Sequence, residues 1–273
     1  MAHHYILLQR VVGKVICILF ICTCLIWAFS NTALATEEMF TNNVGIEFVL
    51  VPSGTFIMGA NNSSQAYPPH QVSISRPFYI GRYEVTQEQW QKVMGKNPSR
   101  FKGANNPVES ISWDDAQEFI ARLNQMEGHS RYRLPTEAEW EHAARGGTTG
   151  PWFFTNDKTI KHTALWPYAW FDPNADGKTH PVGQKKPNPL GLYDMYGNVR
   201  EWVQDRWAWP YSPADPSIDP QGPTESQAMD NYRKSRGGCY ADSHNSCSST
   251  LCDVEEQHKH NKRIGLRLAL SLD

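Results

Sequence analysis

The sequence lacks an excess of charge of either sign, since 26 Lys and Arg residues stand against 28 Asp and Glu residues in a chain of 273. The formal net charge of -2 gives no basic surface, so a nucleic-acid partner is not expected. Disorder is not expected either, because 40% of the residues are hydrophobic and the chain has 10 Trp, 11 Tyr and 11 Phe. The composition predicts one globular domain over residues 40–271.

The sequence also lacks a hydrophobic run long enough to cross a membrane. The apolar stretch Val15–Phe29 follows two basic residues and is shorter than the roughly 20 residues of a spanning helix. Ala33-Leu34-Ala35 then supplies the small residues that a signal peptidase recognises. Residues 1–35 are therefore predicted to be a signal peptide cleaved after Ala35, which would give a secreted or periplasmic protein without stable membrane insertion. An uncleaved membrane anchor is the alternative.

Cysteine is scarce beyond the predicted signal peptide. Only Cys239, Cys247 and Cys252 remain, and all three lie within one short segment. An odd number of cysteines in an oxidising compartment leaves at least one without an intramolecular disulfide. Two interpretations stay open: one short disulfide, such as Cys239–Cys252, with a buried thiol, or a functional thiol.

Three short helices are predicted from their start and stop signals. Each begins with a capping box, in which a Thr or Ser is followed three residues later by Gln, Asp or Glu. The capping residues are Thr86, Ser112 and Thr136. Gly95 and Gly146 are predicted to end the first and third helices. The second helix has one apolar stripe that should face the core, formed by Ala116, Phe119, Ile120 and Leu123.

Two further regions have a readable pattern. Glu47–Val51 and Thr55–Met58 are apolar runs separated by Pro52-Ser53-Gly54, and they predict a hairpin. From Thr148 to Pro223, Pro, Gly, Asn, Asp and Trp dominate, which predicts ordered loops packed by aromatic rings. A long irregular stretch is unusual inside a compact domain unless something such as a metal ion holds it.

Four motifs follow one another along the chain at characteristic spacings: Arg133–Glu141, Gly191–Trp202, Arg236–Gly238 and Ile264–Arg267. In these motifs the chain resembles the formylglycine-generating enzyme, or sulfatase-modifying factor, family, and the resemblance covers nearly all of the chain beyond residue 35. It implies an α+β fold of the C-type-lectin-like class, with short helices and strands and much irregular structure.

The resemblance also points to the segment that follows Gly238. In the copper enzymes of the family, two cysteine thiolates bind Cu⁺, and their positions correspond to Asp242 and Cys247. Only one thiolate is retained, and a hard carboxylate suits Cu⁺ poorly. A rearranged pair of Cys239 with Cys247 is the alternative donor set. The expected catalytic residues are Cys247, Cys239 and Asp242, and the chain resembles a divergent member that lacks one copper-ligand cysteine.

Arg200 is a second departure, because the family motif has Trp at this position. An arginine could bind a ligand's carboxylate or phosphate, but a surface ion pair is the favoured interpretation. A zinc site is not expected at His258 and His260, because their spacing from His244 and Cys252 fits no established zinc finger.

Calcium is the metal that the resemblance assigns to the motif Asp194–Glu201. The implied ligands are the side chains of Asp194 and Glu201 and the backbone carbonyls of Gly197 and Val199. Calcium takes several oxygen ligands at flexible distances, and a glycine-containing turn between two carboxylates can supply them. A plain Asp/Gly turn is the alternative.

Two functions of different class follow from these observations. The first is a divergent oxidoreductase or maturation factor that acts on an exported protein or peptide, with cysteine-to-formylglycine oxidation of a sulfatase the less favoured form. The alternative is a non-catalytic C-type-lectin-like module whose ligand surface is the segment Cys239–Arg263. The missing thiolate argues against the copper enzyme, whereas the retained Cys247 argues against the pure binding module. The maturation factor is therefore the expected function.

Overall fold

Three sheets and three short α-helices carry the regular structure of the described residues, which are 38–60, 68–157, 159–208, 217–229 and 231–272 of a computed structural model. These residues belong to one unit, Glu38–Asp273. The predicted signal peptide lies outside the described residues. No helix in the described ranges is long and apolar enough to cross a membrane.

The elements are numbered in chain order. The strands are β1 Met39–Thr41, β2 Glu47–Val51, β3 Gly54–Met58, β4 His70–Ile74, β5 Phe78–Gly81, β6 Tyr132–Arg133, β7 Arg200–Arg206, β8 Tyr232–Arg236, β9 Cys252–Glu256, β10 Ile264–Leu266 and β11 Ala269–Ser271. The helices are α1 Gln87–Met94, α2 Trp113–Glu127 and α3 Glu137–Arg145. No described element exceeds 15 residues, in agreement with the short elements that the sequence predicts.

The largest sheet is antiparallel and has the strand order β1-β2-β5-β11-β6. Strand β11, from the C-terminal end of the chain, lies between β5 and β6, and its Leu270 is opposite Tyr79 on one side and Tyr132 on the other. The fully buried Phe48 and Ile80 come from β2 and β5. The last strand of the chain therefore completes a sheet whose other strands come from the N-terminal half.

The second sheet positions the candidate site and has the order β10-β7-β8-β9. Strands β10 and β7 are parallel, and the other pairs are antiparallel. Arg236 on β8 is opposite Glu201 on one side and Cys252 on the other. Because side chains alternate along a strand, Arg200 and Glu201 project to opposite faces of this sheet.

The predicted hairpin of Glu47–Val51 with Thr55–Met58 is wrong. Strand β2 pairs with β1 and β5, whereas β3 pairs with β4 in a separate two-stranded sheet. Between β2 and β3, His142 donates from Nε2 to the Pro52 carbonyl at 3.0 Å, and Gly54 packs against the His142 ring. Strands β1 and β5 occupy both edges of β2, so β3 cannot pair with it. The chain between β2 and β3 instead passes along α3, where it contacts His142.

The predicted helices are confirmed, together with the residues that begin and end them. Thr86 Oγ1 accepts a hydrogen bond from the Gln89 N–H at 3.3 Å, and Gln89 Oε1 accepts one from the Thr86 N–H at 2.9 Å. The same reciprocal pattern begins α2 at Ser112 and α3 at Thr136. Gly95 follows α1 at a φ of 75°, the left-handed conformation that ends a helix. The predicted stripe of α2 is buried, and consists of Ala116, Phe119, Ile120 and Leu123.

The segment from Thr148 to Pro223 is packed by aromatic rings, as its composition predicts. Phe154 stacks on Tyr168 with 4.2 Å between ring centroids, and Trp170 stacks on His180 at 3.8 Å. Such ring pairs bury a large apolar area without a sheet ladder. Within the described part of this segment, β7 and a short 3₁₀ helix are the regular elements.

Candidate functional site

The segment expected to carry the chemistry runs from Gly237 to Cys247, between β8 and β9. Gly237 and Gly238 have φ values of 96° and 76°. A Cβ atom on Gly238 would lie 2.7 Å from Cys247 Sγ, so this close approach requires glycine. Trp152 donates from Nε1 to the Cys247 carbonyl at 2.6 Å. Cys247 is thus fixed against the start of the segment.

Asp242 is bound by Arg200 through two parallel hydrogen bonds. Arg200 Nε donates to Asp242 Oδ2 and Arg200 Nη2 donates to Asp242 Oδ1, each at 2.9 Å. Arg200 Nη1 also forms an ion pair with Asp253. Although burial by itself lowers it, the carboxylates of Asp242 and Asp253 raise the pKa of Arg200. Arg200 and Asp242, the two residues at which the chain departs from the family that it resembles, are therefore in direct contact.

The favoured interpretation of Arg200 as a surface ion pair needs a correction. The side chain of Arg200 is 17% exposed and that of Asp242 is 8% exposed, so the pair is largely removed from water. All three guanidinium nitrogens face carboxylates of the same chain. The guanidinium is consequently bound by carboxylates of the same chain.

The thiols of Cys239 and Cys247 are buried and neutral. Burial, reinforced by the negative charge of Asp242, raises the pKa of Cys239 to about 12. The same two causes raise the pKa of Cys247 well above its ordinary value. Cys247 Sγ lies 3.9 Å from the Cys239 carbonyl oxygen. Since the thiolate is the nucleophile, neither thiol is activated for nucleophilic attack at neutral pH.

No disulfide joins Cys239, Cys247 and Cys252 in the structure. The proposed Cys239–Cys252 bond is therefore not formed. Cys252 lies on β9 and its thiol hydrogen-bonds to the carboxylate of Glu137. The first interpretation of the cysteines combined one disulfide with a buried thiol. Cys239 and Cys247 are both buried thiols, as that interpretation expects of one cysteine, but the disulfide is absent.

The residues do not fit a two-thiolate copper centre. Position 242 supplies a carboxylate that is already paired with Arg200, and Cys247 is a buried neutral thiol. Cu⁺ prefers soft thiolates over carboxylates. Burial and the negative charge of Asp242 raise the pKa of Cys239 as well, although the hydrogen bond that its Sγ accepts from the Ala241 N–H acts in the opposite direction.

The histidines considered for zinc are used in other contacts. His258 pairs with Asp114, and His260 Nε2 lies 2.9 Å from Asp115 Oδ2, so both bind the first turn of α2. In the described parts of the chain, no group of three or more His, Cys, Asp or Glu side chains is arranged to hold a metal ion.

The calcium residues lie on the other side of β7. Asp194 Oδ2 accepts a hydrogen bond from the Gly183 N–H at 2.7 Å, whereas Asp194 Oδ1 is buried and has no hydrogen-bond partner. Glu201 is held by Arg267, whose Nη2 donates to Glu201 Oε1 at 2.7 Å, and by Trp140, whose Nε1 donates to Glu201 Oε2 at 2.6 Å. One of the two carboxylates is therefore fully bonded and the other is only half bonded.

Glu84 is a further member of this group that the sequence reasoning assigned no role. It is fully buried, and its carboxylate accepts from Asn198 Nδ2 at 2.6 Å and from the Val199 N–H at 3.0 Å. Burial, followed by the negative charges of Asp194 and Glu201, raises the pKa of Glu84 well above its ordinary value. Glu84 lies two residues before the capping residue Thr86, so its position near a helix start was visible in the sequence but its burial was not.

The side chains of the described acidic group do not form a metal site by themselves, so a hard cation here would need backbone carbonyls among its ligands. The guanidinium of Arg267 hydrogen-bonds Glu201, and its charge also acts on the nearby carboxyl groups of Glu84 and Asp194. Lys185 adds a second positive charge that acts on Asp194. Burial raises the pKa of Asp194 to about 6. A surplus of buried negative charge is relieved either by protons or by a cation, and a buried oxygen without a partner is the ligand type that calcium prefers. Asp194, Glu201 and the carbonyls of Gly197 and Val199 would hold such an ion.

A second buried group of charges anchors the base of the segment Gly237–Cys247. Arg236 donates from Nη1 to Glu137 at 3.2 Å and from Nη2 to Glu141. Arg236 Nη2 also donates to the Ser249 carbonyl at 2.6 Å. Lys234 Nζ donates to Glu137 at 2.8 Å. Both ends of the segment are thus tied to α3, through charges that the sequence motifs contained without revealing their contacts.

The protein has an α+β, C-type-lectin-like fold. At the position where the copper enzymes that it resembles have one of two thiolate ligands, this chain has Asp242, which pairs with Arg200. The chain belongs to the family described as the sulfatase-modifying factor enzyme 1-like domain, and the match covers residues 35–272. The resemblance seen in the motifs is confirmed, and so is the predicted fold class.

Three known proteins illustrate the similarity. The chaperone protein LppX of Paenibacillus barcinonensis is 35% identical to this chain, over 84% of this chain and 90% of its own length. The formylglycine-generating enzyme of Mus musculus is 30% identical over 73% of this chain, which spans only 53% of that enzyme. The solved structure of Treponema denticola variable protein 1 superposes with a TM-score of 0.74 at 32% identity, covering 86% of this chain and 99% of that protein.

Proposed function

We propose that this chain is a maturation factor that binds an exported protein, in the manner of a chaperone, and that it does not oxidise cysteine with copper. The state of Cys247 carries this proposal. Cys247 is the one thiol that matches a copper ligand, and it is fully buried, has a raised pKa and lies beside a carboxylate instead of a second thiolate. A residue in this state contributes packing, not chemistry.

The similarity to known proteins supports the same proposal. The chaperone protein LppX matches this chain over nearly the whole of both lengths, whereas the murine formylglycine-generating enzyme has a large part that this chain does not span. The family contains proteins of more than one function, so the state of the site decides between them. An exported partner follows from the signal peptide predicted at residues 1–35.

Calcium belongs to the proposal as a structural ion. The half-bonded carboxylate of Asp194 and the surplus of acid around Arg267 support its binding. When bound, calcium would supply positive charge to these carboxylates and link the loop 194–199 to β7. The ion would not take part in contact with the partner, because Glu84, Asp194 and Glu201 are all buried.

A peptide assay tests the negative half of the proposal. The peptide contains Cys-x-Pro-x-Arg, the sequence that the resembling enzymes modify, and is incubated with protein, Cu⁺, oxygen and a reductant. We expect no mass loss in the peptide, whereas the murine enzyme under the same conditions should produce formylglycine. Turnover that disappears in Cys247→Ser would overturn the proposal and establish copper-dependent oxidation.

A refolding assay tests the positive half. Exported proteins whose folded amount falls in a strain that lacks this chain are purified, denatured and refolded with and without it. We expect the wild-type chain to raise the refolded yield, and Cys247→Ala to do so equally, because the thiol is a packing residue. A folded Cys247→Ala variant without this activity would contradict the proposal, and so would a strain in which no exported protein depends on the chain.

A further inference from the structure

The contact between positions 200 and 242 joins two changes that are each unfavourable alone. A lone Asp242 would be a largely buried carboxylate, and a lone Arg200 would be a largely buried cation. An unpaired charge is unfavourable where little water can screen it, so either change by itself would destabilise the site. Together they form a two-bond, charge-assisted pair, which is the strong form of this interaction.

Asp242 also organises the segment in which it lies. Its Oδ2 accepts a hydrogen bond from the Cys239 N–H at 3.0 Å, and its own N–H donates to the Cys239 carbonyl at 3.0 Å. The Asp242 carbonyl accepts from the Asp172 N–H at 3.0 Å. Through Arg200, this turn is attached to the first residue of β7. The pair therefore connects three parts of the chain that are far apart in sequence.

We propose that the Arg200–Asp242 pair is a clamp that has taken over the structural part of a metal centre and holds the segment 239–247 closed on β7. In a two-thiolate centre, the metal would join positions 242 and 247. In this chain the guanidinium of Arg200 instead joins Asp242 to β7. Cys247 is not part of this contact and is a packing residue. Arg200 and Asp242 are positioning residues, and their role holds whichever partner the protein binds.

A simpler role for Asp242 makes a different prediction. As a turn residue, Asp242 would only need to accept the hydrogen bond from the Cys239 N–H, which an asparagine can also do. Asp242→Asn retains that bond but loses the charge that binds Arg200. Arg200→Gln loses the charge and leaves the turn untouched. The two variants thus separate the clamp from the turn.

The rate at which a maleimide modifies Cys239 and Cys247 in the native protein measures the opening of the segment, because buried thiols react only when the structure opens locally. Peptide mass spectrometry reads each cysteine separately. We expect Asp242→Asn and Arg200→Gln each to raise both rates about 10-fold, the effect of losing one charge-assisted bond. The half-buried Cys252 lies outside the segment, so its rate should rise less than the rates of Cys239 and Cys247.

Two controls keep the result specific. Arg206→Gln removes an exposed ion pair from the same strand and should leave the rates of Cys239 and Cys247 unchanged. The double variant Arg200→Gln/Asp242→Asn should react no faster than either single variant, because the pair acts as one unit. Wild-type rates in Asp242→Asn, or additive effects in the double variant, would overturn the clamp.

Copper binding tests whether the clamp stands in the place of the metal. Arg200→Trp/Asp242→Cys replaces the pair by the residue types that the family has at these positions. In competition with a Cu⁺ chelator, we expect this variant to bind one Cu⁺ at least about 100-fold more tightly than the wild type, since two soft thiolates are then available. Cys247→Ala in the same background should abolish the gain. A folded variant that binds Cu⁺ no more tightly than the wild type would overturn the proposal that the ion pair stands in the place of a metal.

Discussion

Two neighbouring residues of β7 form the same kind of ion pair in different surroundings. Glu201 binds Arg267 on the side of the acidic group, where both side chains are almost completely buried. Arg200 binds Asp242 on the opposite side, where both retain some contact with water. Burial sets the strength of such a pair, because an unpaired charge costs more where less solvent can screen it. The comparison teaches that two adjacent residues of one motif can differ in role. Glu201 stabilises the scaffold on one face of the sheet, whereas Arg200 departs from the family motif on the other face.

The charge balance differs as well as the burial. On the buried side, the charge of Arg267 acts on Glu84, Asp194 and Glu201, and two of these carboxyl groups have raised pKa values. On the open side, Arg200 lies between two carboxylates whose other contacts include water or the Cys239 N–H. The buried side is therefore the one that responds to calcium and to protons.

The largest effect is expected from Arg267→Met, which removes the guanidinium that binds Glu201 on the buried side. Glu201 would then be a buried charge without its partner, and the carbonyls of Gly81 and Tyr193 would lose donors at 2.8 Å each. We expect a loss of about 3–5 kcal/mol in the free energy of unfolding, measured with urea. A loss as small as that of Arg206→Gln would show that burial does not set the strength of these pairs.

Calcium removal comes next and acts on the same side. At free calcium 100 times its Kd, binding would stabilise the protein by about 2.7 kcal/mol, so EDTA should lower the melting temperature. Asp194→Asn should lose this response, because it removes the carboxylate with the unpaired oxygen. Glu88→Gln, on the exposed face of α1, should keep it. An equal response to EDTA in both variants would place the ion elsewhere.

The pH dependence of stability distinguishes Asp205, another buried acid of β7. It accepts the Glu137 N–H at 2.7 Å, and burial, followed by the negative charge of Glu137, raises its pKa to about 7. The folded protein keeps this proton up to about pH 7, whereas the unfolded chain releases it near pH 4, so the folded state binds more protons in that window. Stability should thus fall by about 2 kcal/mol as pH rises from 5 to 8. Asp205→Asn should remove this part of the slope, and an unchanged slope would contradict the assignment.

Arg200→Gln is expected to cost less than Arg267→Met, because the pair on the open side is partly solvated. We expect a loss of about 1 kcal/mol in the free energy of unfolding, the typical value of a hydrogen-bonded pair with access to water. A loss equal to that of Arg267→Met would remove the distinction between the two sides. Urea denaturation of both variants under the same conditions gives the answer.

The smallest effect belongs to Arg206→Gln. Arg206 ends β7 and pairs with Glu225 at 3.2 Å, but the side chain of Glu225 is 82% exposed. Exposed pairs contribute between zero and about 1 kcal/mol, so we expect a change below about 0.5 kcal/mol in the free energy of unfolding. A larger change would mean that position on β7, and not burial, governs these pairs.

Local signals in the sequence determined the helices and the motifs. The capping boxes at Thr86, Ser112 and Thr136 act between residues three positions apart, so they can be read without any knowledge of the fold. The family motifs identified the fold class, because each contains residues that the scaffold buries. The hairpin prediction failed where pairing was decided at long range, since β2 exchanges hydrogen bonds with β1 and β5 instead of with β3.

The site shows the same division between sequence and tertiary structure. The sequence alone identified Asp242 and Arg200 as departures, and it identified the loss of one thiolate at position 242. Only the tertiary structure could show that these two residues bind each other, that Cys239 and Cys247 are neutral, and that Glu84 joins the acidic group. The physical reason is that ion pairing and pKa depend on which charges meet and how much water remains, and the fold sets both by bringing distant segments together.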